Sequence, residues 1–157
     1  MIFLEPEQYQ QNCIDLFNSY KKNISSLLPF AKIEHIGSSA IPNTISKGDL
    51  DIYIEVMSDQ FEFAIEQLKT LNFIEKQNTL RTHELCMLES MNDAEVAFQI
   101  VVADSVFTFF LTFRNKLIDS PRLVHEYNQL KLQCSHLDPD QYRAIKSDFI
   151  NRVLNHL

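Results

Sequence analysis

The stretch that decides the fold runs Ile36-Gly37-Ser38-Ser39-Ala40-Ile41-Pro42 and on through Ser46-Lys47-Gly48-Asp49-Leu50-Asp51-Ile52-Tyr53-Ile54-Glu55-Val56. A turn of small residues leads into a loop, and the loop into two carboxylates one residue apart at the head of an apolar strand. Successive side chains of a strand point to opposite faces, so Asp49 and Asp51 project from the same face, about 7 Å apart along the backbone. Two like charges at that spacing repel unless a cation sits between them. A hard divalent ion such as Mg²⁺, held by one or two carboxylates plus substrate phosphates, suits the pair. Gly37 and Ser38 provide the complementary half, because a glycine-containing turn lets backbone N–H groups approach a phosphate with no Cβ in the way. Phosphoryl or nucleotidyl transfer needs this combination.

Outward from this stretch, Tyr9, Cys13, Leu16, Phe17, Tyr20, Ile24, Leu27 and Leu28 recur at three- and four-residue intervals, which predicts an amphipathic helix over Glu7–Leu28 stopped by Pro29. Lys32–Ile36 reads as the first strand and Leu50–Val56 as the second. The chain has only 2 glycines, both in the Gly37–Gly48 loop, so the backbone there is specially shaped. Ser58 or Asp59 caps a helix through Leu71, with Glu62 completing a capping box behind Asp59. Phe73–Lys76, Thr79–Leu88 and Glu95–Val102 read as strands, the last two separated by a turn at Ser90-Met91-Asn92-Asp93. After Asp104 the pattern is helical, with a break at Ser120-Pro121 and a new start at Asp138-Pro139-Asp140-Gln141. No linker or repeat interrupts this order, so the reading is one α+β domain over residues 1–157.

A chain of 157 residues is long enough to bury a real core. Its greasiest stretch, Val106 to Phe113, is too short for a membrane span and reads as a buried helix. With no basic leader and no small-residue cleavage site, a cytoplasmic protein is expected. The 3 cysteines, Cys13, Cys86 and Cys134, lack metal-ligand spacing and read as core thiols. A formal charge of −7 with no Lys/Arg cluster opposes nonspecific nucleic-acid binding. A polyanionic ligand could approach only where the few cations converge on one cleft.

Ile33-Glu34-His35-Ile36-Gly37-Ser38-Ser39-Ala40-Ile41-Pro42 resembles the His-Ile-Gly-Ser-Thr-Ala-Val-Pro run of the GrpB family. Gly-Ser, a spacer of about ten residues and Asp-hydrophobic-Asp is likewise the signature of the wider nucleotidyltransferase superfamily. Phe113-Arg114-Asn115, Tyr127-Asn128-Gln129-Leu130-Lys131 and Tyr142 through Ile150 fit the same family, so the resemblance covers nearly the whole chain. It implies a nucleotidyltransferase-like fold, a mixed sheet of about four or five strands flanked by helices with a helical C-terminal part. It also implies Mg²⁺-dependent transfer of a nucleotidyl group from a nucleoside triphosphate to an unknown small-molecule acceptor; the charge and hydropathy above predict neither nucleic acid nor membrane as partner. Asp49 and Asp51 would hold metal and carry catalysis. Gly37, Ser38, Ser39, Lys47, Arg114, Lys131 and Lys146 would surround the nucleotide and its phosphates.

One departure stands out. The superfamily takes a third carboxylate from a later strand, and the matching strand here reads Phe98-Gln99-Ile100-Val101, with a neutral amide at that place. Glu95 lies four residues earlier, roughly 13 Å away by strand rise, too far to substitute without a bulge. Hence a second reading stands beside the first, a catalytically silent module binding a nucleotide or coenzyme A precursor, and a third is an interaction domain with a solvated acidic pair. Several residues keep alternatives too. Lys47 can touch a phosphate or simply offset the acidic pair. Tyr127/Lys131 and Tyr142/Lys146, each one helical turn apart, can form a ligand cleft or pack a tyrosine beneath a lysine stem. Arg114 can instead pair with Asp119 or a backbone carbonyl at its helix end. His35 can act as a base, or be a hydrogen-bonded structural histidine.

Overall fold

The computed structural model describes residues 1–93 and 95–156. The first helix, α1 (Pro6–Leu27), begins at Pro6, whose missing N–H costs nothing in a first turn, and the Gln8 side chain accepts the Glu5 backbone N–H at 2.7 Å. It ends where Pro29 disfavours helical backbone in the residue before it. Next come β1 (Lys32–Ile36), a single 3₁₀ turn at Ser38–Ala40, and β2 (Leu50–Val56). The capped helix predicted after β2 starts as a 3₁₀ turn over Ser58–Gln60 and continues as α2 (Phe61–Lys69), with Gln60, not Glu62, reaching back to the Met57 N–H at 3.1 Å.

Three more strands follow: β3 (Phe73–Glu75), β4 (Leu85–Ser90) and β5 (Val96–Val102). The strand predicted from Thr79 starts only at Leu85, because the Thr82 hydroxyl accepts the N–H groups of Glu84 and Leu85, each at 3.0 Å, and turns the chain there. A 3₁₀ turn, α3 (Phe109–Ile118), α4 (Pro121–Gln133) and α5 (Pro139–His156) complete the chain. α4 is capped by Ser120, whose hydroxyl accepts the Leu123 N–H, and has Pro121 in its first turn.

The five strands form one mixed sheet in the order β1-β2-β5-β4-β3. Only β2 and β5 run parallel, and the remaining pairs are antiparallel. Alternation assigns the two faces. Leu50, Ile52, Ile54 and Val56 of β2 pack with Phe98 and Ile100 of β5 beneath α1 and α2, in the main core. Asp49, Asp51 and Tyr53 point the other way, toward α3, α4 and α5, as do Gln99 and Val101. Cys13, Cys86 and Cys134 are free and buried. Among the described residues no helix is long and apolar enough to cross a membrane.

Candidate functional site

At the head of β2 the sheet meets the turn that follows β1. Ile36 pairs with Asp51, so Gly37 lies directly beside the Asp51 carboxylate. Gly37 has φ +76° and ψ −175°, backbone that side-chain-bearing residues rarely adopt. A Cβ there would come within 2.8 Å of Asp51 Oδ2. Glycine is thus demanded twice, by conformation and by the carboxylate's closeness. Gly48, at φ +103°, shapes the other end of the same loop.

The loop between these glycines is held from several sides. Gln10 of α1 donates to the carbonyls of Ile41, at 2.8 Å, and Ser38, at 3.3 Å. The Tyr9 hydroxyl donates to the Thr44 carbonyl at 2.6 Å. Asn128 of α4 uses both ends of its amide, donating to the Asn43 carbonyl at 2.8 Å and accepting the Ile45 N–H at 3.0 Å. Lys131, one helical turn further on, reaches the Ser38 hydroxyl and the Ile45 carbonyl, both at 2.6 Å.

A cleft opens between this loop and the C-terminal helices. Its polar lining includes Gly37, Ser38, Lys47, Asp49, Asp51, Gln99, Lys131 and Lys146. Its apolar wall consists of Phe109, Phe110 and Phe113 from α3, with Tyr127, Tyr142 and Phe3. The Val106–Phe113 stretch is therefore not the buried helix that its composition suggested. Val106 is 73% exposed and Phe109, Phe110 and Phe113 are only half-buried, because apolar content alone does not tell a core from a cleft wall.

Burial raises the pKa of Asp51 above the ordinary carboxylate value, opposed by Lys146 and reinforced by Asp49. Gln99 donates from Nε2 to Asp51 Oδ1 at 3.2 Å, which puts its amide against the carboxylate. Asp49 Oδ1 is buried with no hydrogen-bond partner. Lys146, half-buried, is held above its ordinary value by Tyr127, Tyr142 and Asp51. Lys131 is only 3% exposed, and burial together with the Lys146 charge pulls it down to about 6.

Two predicted residues sit outside the cleft. Ser39 is buried, and its hydroxyl lies 2.6 Å from His35 Nε2. His35 stacks on Phe17, and burial lowers its pKa to about 4, so at neutral pH it is an uncharged, structural imidazole. Arg114 donates from Nη1 to the His35 carbonyl at 2.9 Å and reaches Glu34 at 3.4 Å. It braces β1, and the carbonyl it meets belongs to that strand, not to the end of its own helix.

Glu95 comes beside Asp49 by a route that distance along its own segment does not reveal. It precedes β5 and is far from Gln99, but the parallel register pairs Leu50 with Val96 and so sets Glu95 beside Asp49. A hydrogen bond shared with Asp49, and the charge of that neighbour, raise the Glu95 pKa. No spacing within the sequence carries this relationship, which exists only once β2 and β5 pair.

Asp49 and Asp51 fit a single hard cation: one carboxylate has an orphaned buried oxygen, and burial disfavours the charged form of the other, which a cation would favour. Among the described residues no group of three or more His, Cys, Asp or Glu side chains converges into a cage. Such an ion would need oxygens from a ligand or from water to complete its shell.

Comparison with known proteins agrees with this architecture. The model of the GrpB protein family matches residues 4–156. A UPF0157 protein of Vibrio cholerae is 50% identical over 154 residues, covering 98% of this chain and 82% of that relative. The crystal structure of the conserved protein GrpB from Enterococcus faecalis superposes with a TM-score of 0.74 at 20% identity, covering 98% of this chain and 99% of the other. A looser likeness, TM-score 0.49 at 13% identity, links 83% of the chain to 45% of Cid1, an RNA terminal uridylyl transferase. By the extent of the family match and the identity to the Vibrio protein, this chain belongs to the GrpB family.

Proposed function

We propose that this protein binds a nucleoside triphosphate with Mg²⁺ in the cleft and transfers the nucleotidyl group to a small-molecule acceptor. One observation carries the reading: two carboxylates at the head of β2 line the same cleft as a glycine-serine turn, and three lysines, Lys47, Lys131 and Lys146, complete it. Asp49 and Asp51 would hold the ion, which when bound supplies charge neutralisation and alignment for an in-line displacement. Gly37 leaves room for a phosphate near Asp51, and Ser38 presents a hydroxyl to it. Lys146 and Lys47 carry the positive charge that a triphosphate requires in a chain of net charge −7. The aromatic wall offers π-faces to a base and excludes water from the reacting groups.

The experiment is calorimetry with ATP, GTP, CTP and UTP, each with and without Mg²⁺, followed by measurement of pyrophosphate release with candidate acceptors. Metal-dependent binding that disappears in Asp51→Asn supports the reading, and metal-independent binding that survives Asp51→Asn refutes it. A second reading, a binding module without turnover, is favoured by the neutral Gln99 against Asp51, since a third charge at that place would help to hold a second ion. Tight Mg-nucleotide binding with no pyrophosphate release, whatever the acceptor, is its expected signature.

A further inference from the structure

Lys131 is the one lysine of the cleft that is almost fully buried, at 3% exposure, and its surroundings are unusual for an ammonium. Its amine touches a hydroxyl, Ser38 Oγ, and a carbonyl, Ile45 O, both at 2.6 Å. Among the described residues no carboxylate lies within ion-pair distance of it. The groups that face it are the Tyr127 ring, 4.3 Å from the amine to the centroid, Lys146 from α5, Lys47 from the loop, and Asp49 just ahead of β2. The hydroxyls of Tyr9 on α1 and Tyr142 on α5 are uncharged at neutral pH, their pKa values raised by burial to about 12. Two cations and a single carboxylate, none in contact with it, leave a buried ammonium uncompensated.

A neutral amine satisfies the same geometry. It donates one hydrogen to the Ile45 carbonyl and offers its lone pair to the Ser38 hydroxyl, which then acts as the donor. A phosphate arriving at Ser38 changes that balance, because an anion in a dry site stabilises the ammonium strongly.

We propose that Lys131 is a proton-coupled phosphate clamp, standing uncharged against Ser38 in the free protein and taking up one proton as an anionic phosphate ligand docks. This rests on the reading of the cleft as a phosphate site and adds a rule for its affinity. The proton taken up lodges on Lys131 Nζ and comes from solvent or buffer. With burial lowering the free amine to about 6, only a small part of the protein carries the charged clamp at neutral pH, and that part shrinks with each rise in pH.

The test uses MgATP and, separately, inorganic tripolyphosphate as probes on the full chain. Calorimetry in two buffers of different ionisation enthalpy should register close to one proton taken up per ligand near pH 8. The Kd should weaken by about tenfold per pH unit between roughly pH 7 and 8.5, and in Lys131→Met it should be flat. Since that variant could misfold, a second measurement on the unaltered protein decides independently: the ¹³Cε resonance of Lys131 should titrate several units below an ordinary lysine. A resonance titrating in the ordinary range, or binding without proton uptake, overturns the inference and leaves the nucleotide reading intact. If neither probe binds at any pH, the nucleotide reading and the inference fall together.

Discussion

Gly37 and Asp51 stand so close that a methyl group on the first would lie 2.8 Å from a carboxylate oxygen of the second. Gly37→Ala therefore combines backbone strain with displacement of the acidic group. The strain alone should cost about 1–3 kcal/mol, measurable as a lower midpoint in urea unfolding. Mg-nucleotide affinity should drop as well, because the alanine either moves Asp51 or fills the space beside it. An alanine variant with native stability and native affinity would mean that this closeness has no consequence.

Asp51→Asn should stabilise the free protein while abolishing metal-dependent binding. Burial raises the folded pKa of Asp51, so the folded state is favoured while the group is protonated and loses that advantage as pH rises through the folded value. Wherever the buried carboxylate ionises it carries a cost in the folded state, and asparagine removes that cost while still accepting from Gln99. A Tm above that of the unaltered protein is expected once the pH exceeds the folded value of Asp51. Scanning calorimetry from acid to neutral pH checks the sign: the gain should grow as pH rises.

His35 sets an acid limit. Its pKa is near 4 when folded against an ordinary 6.5, so the unfolded chain binds the extra proton between these values. The stability this contributes is complete above pH 6.5 and is lost as pH falls toward 4, amounting to about 3 kcal/mol at most. His35→Gln keeps a hydrogen bond for Ser39 and cannot titrate, so its Tm should fall less steeply across that window. Identical slopes for the two proteins would assign the acid sensitivity to other groups.

Gln99→Asp would face Asp51 with a second carboxylate where an amide now donates at 3.2 Å. Without metal the variant should lose about 1–3 kcal/mol to like-charge repulsion in a buried place. Millimolar Mg²⁺ should return most of it, and gained pyrophosphate release would identify the amide as the group that limits the site. Destabilisation that Mg²⁺ leaves untouched counts against a cation between the strands.

Features local to one segment could be read before the structure. The bounds of β1 and β2 follow from the sequence to the residue, the apolar stripe gives α1 to within one residue, and two glycines in one loop flag backbone that proves to have positive φ at both. Relationships between distant segments could not. Glu95 meets Asp49 only through the parallel register of β2 and β5, and Lys131 meets Ser38 across 93 residues. Thr79–Glu84 has the composition of a strand, yet the β4 ladder with β5 begins only at Leu85↔Val101, so propensity there goes unrewarded. The same limit explains Arg114: its charge was visible, its partners on β1 were not.

The loop fastened by Gln10, Asn128 and Lys131 has one more consequence. Its conformational freedom is surrendered when the chain folds, so an arriving guest has little left to immobilise. Recognition by such a rigid cradle should proceed with small main-chain shifts and shape-based selectivity, and α4 becomes as necessary to the recognition step as the strand bearing the acids.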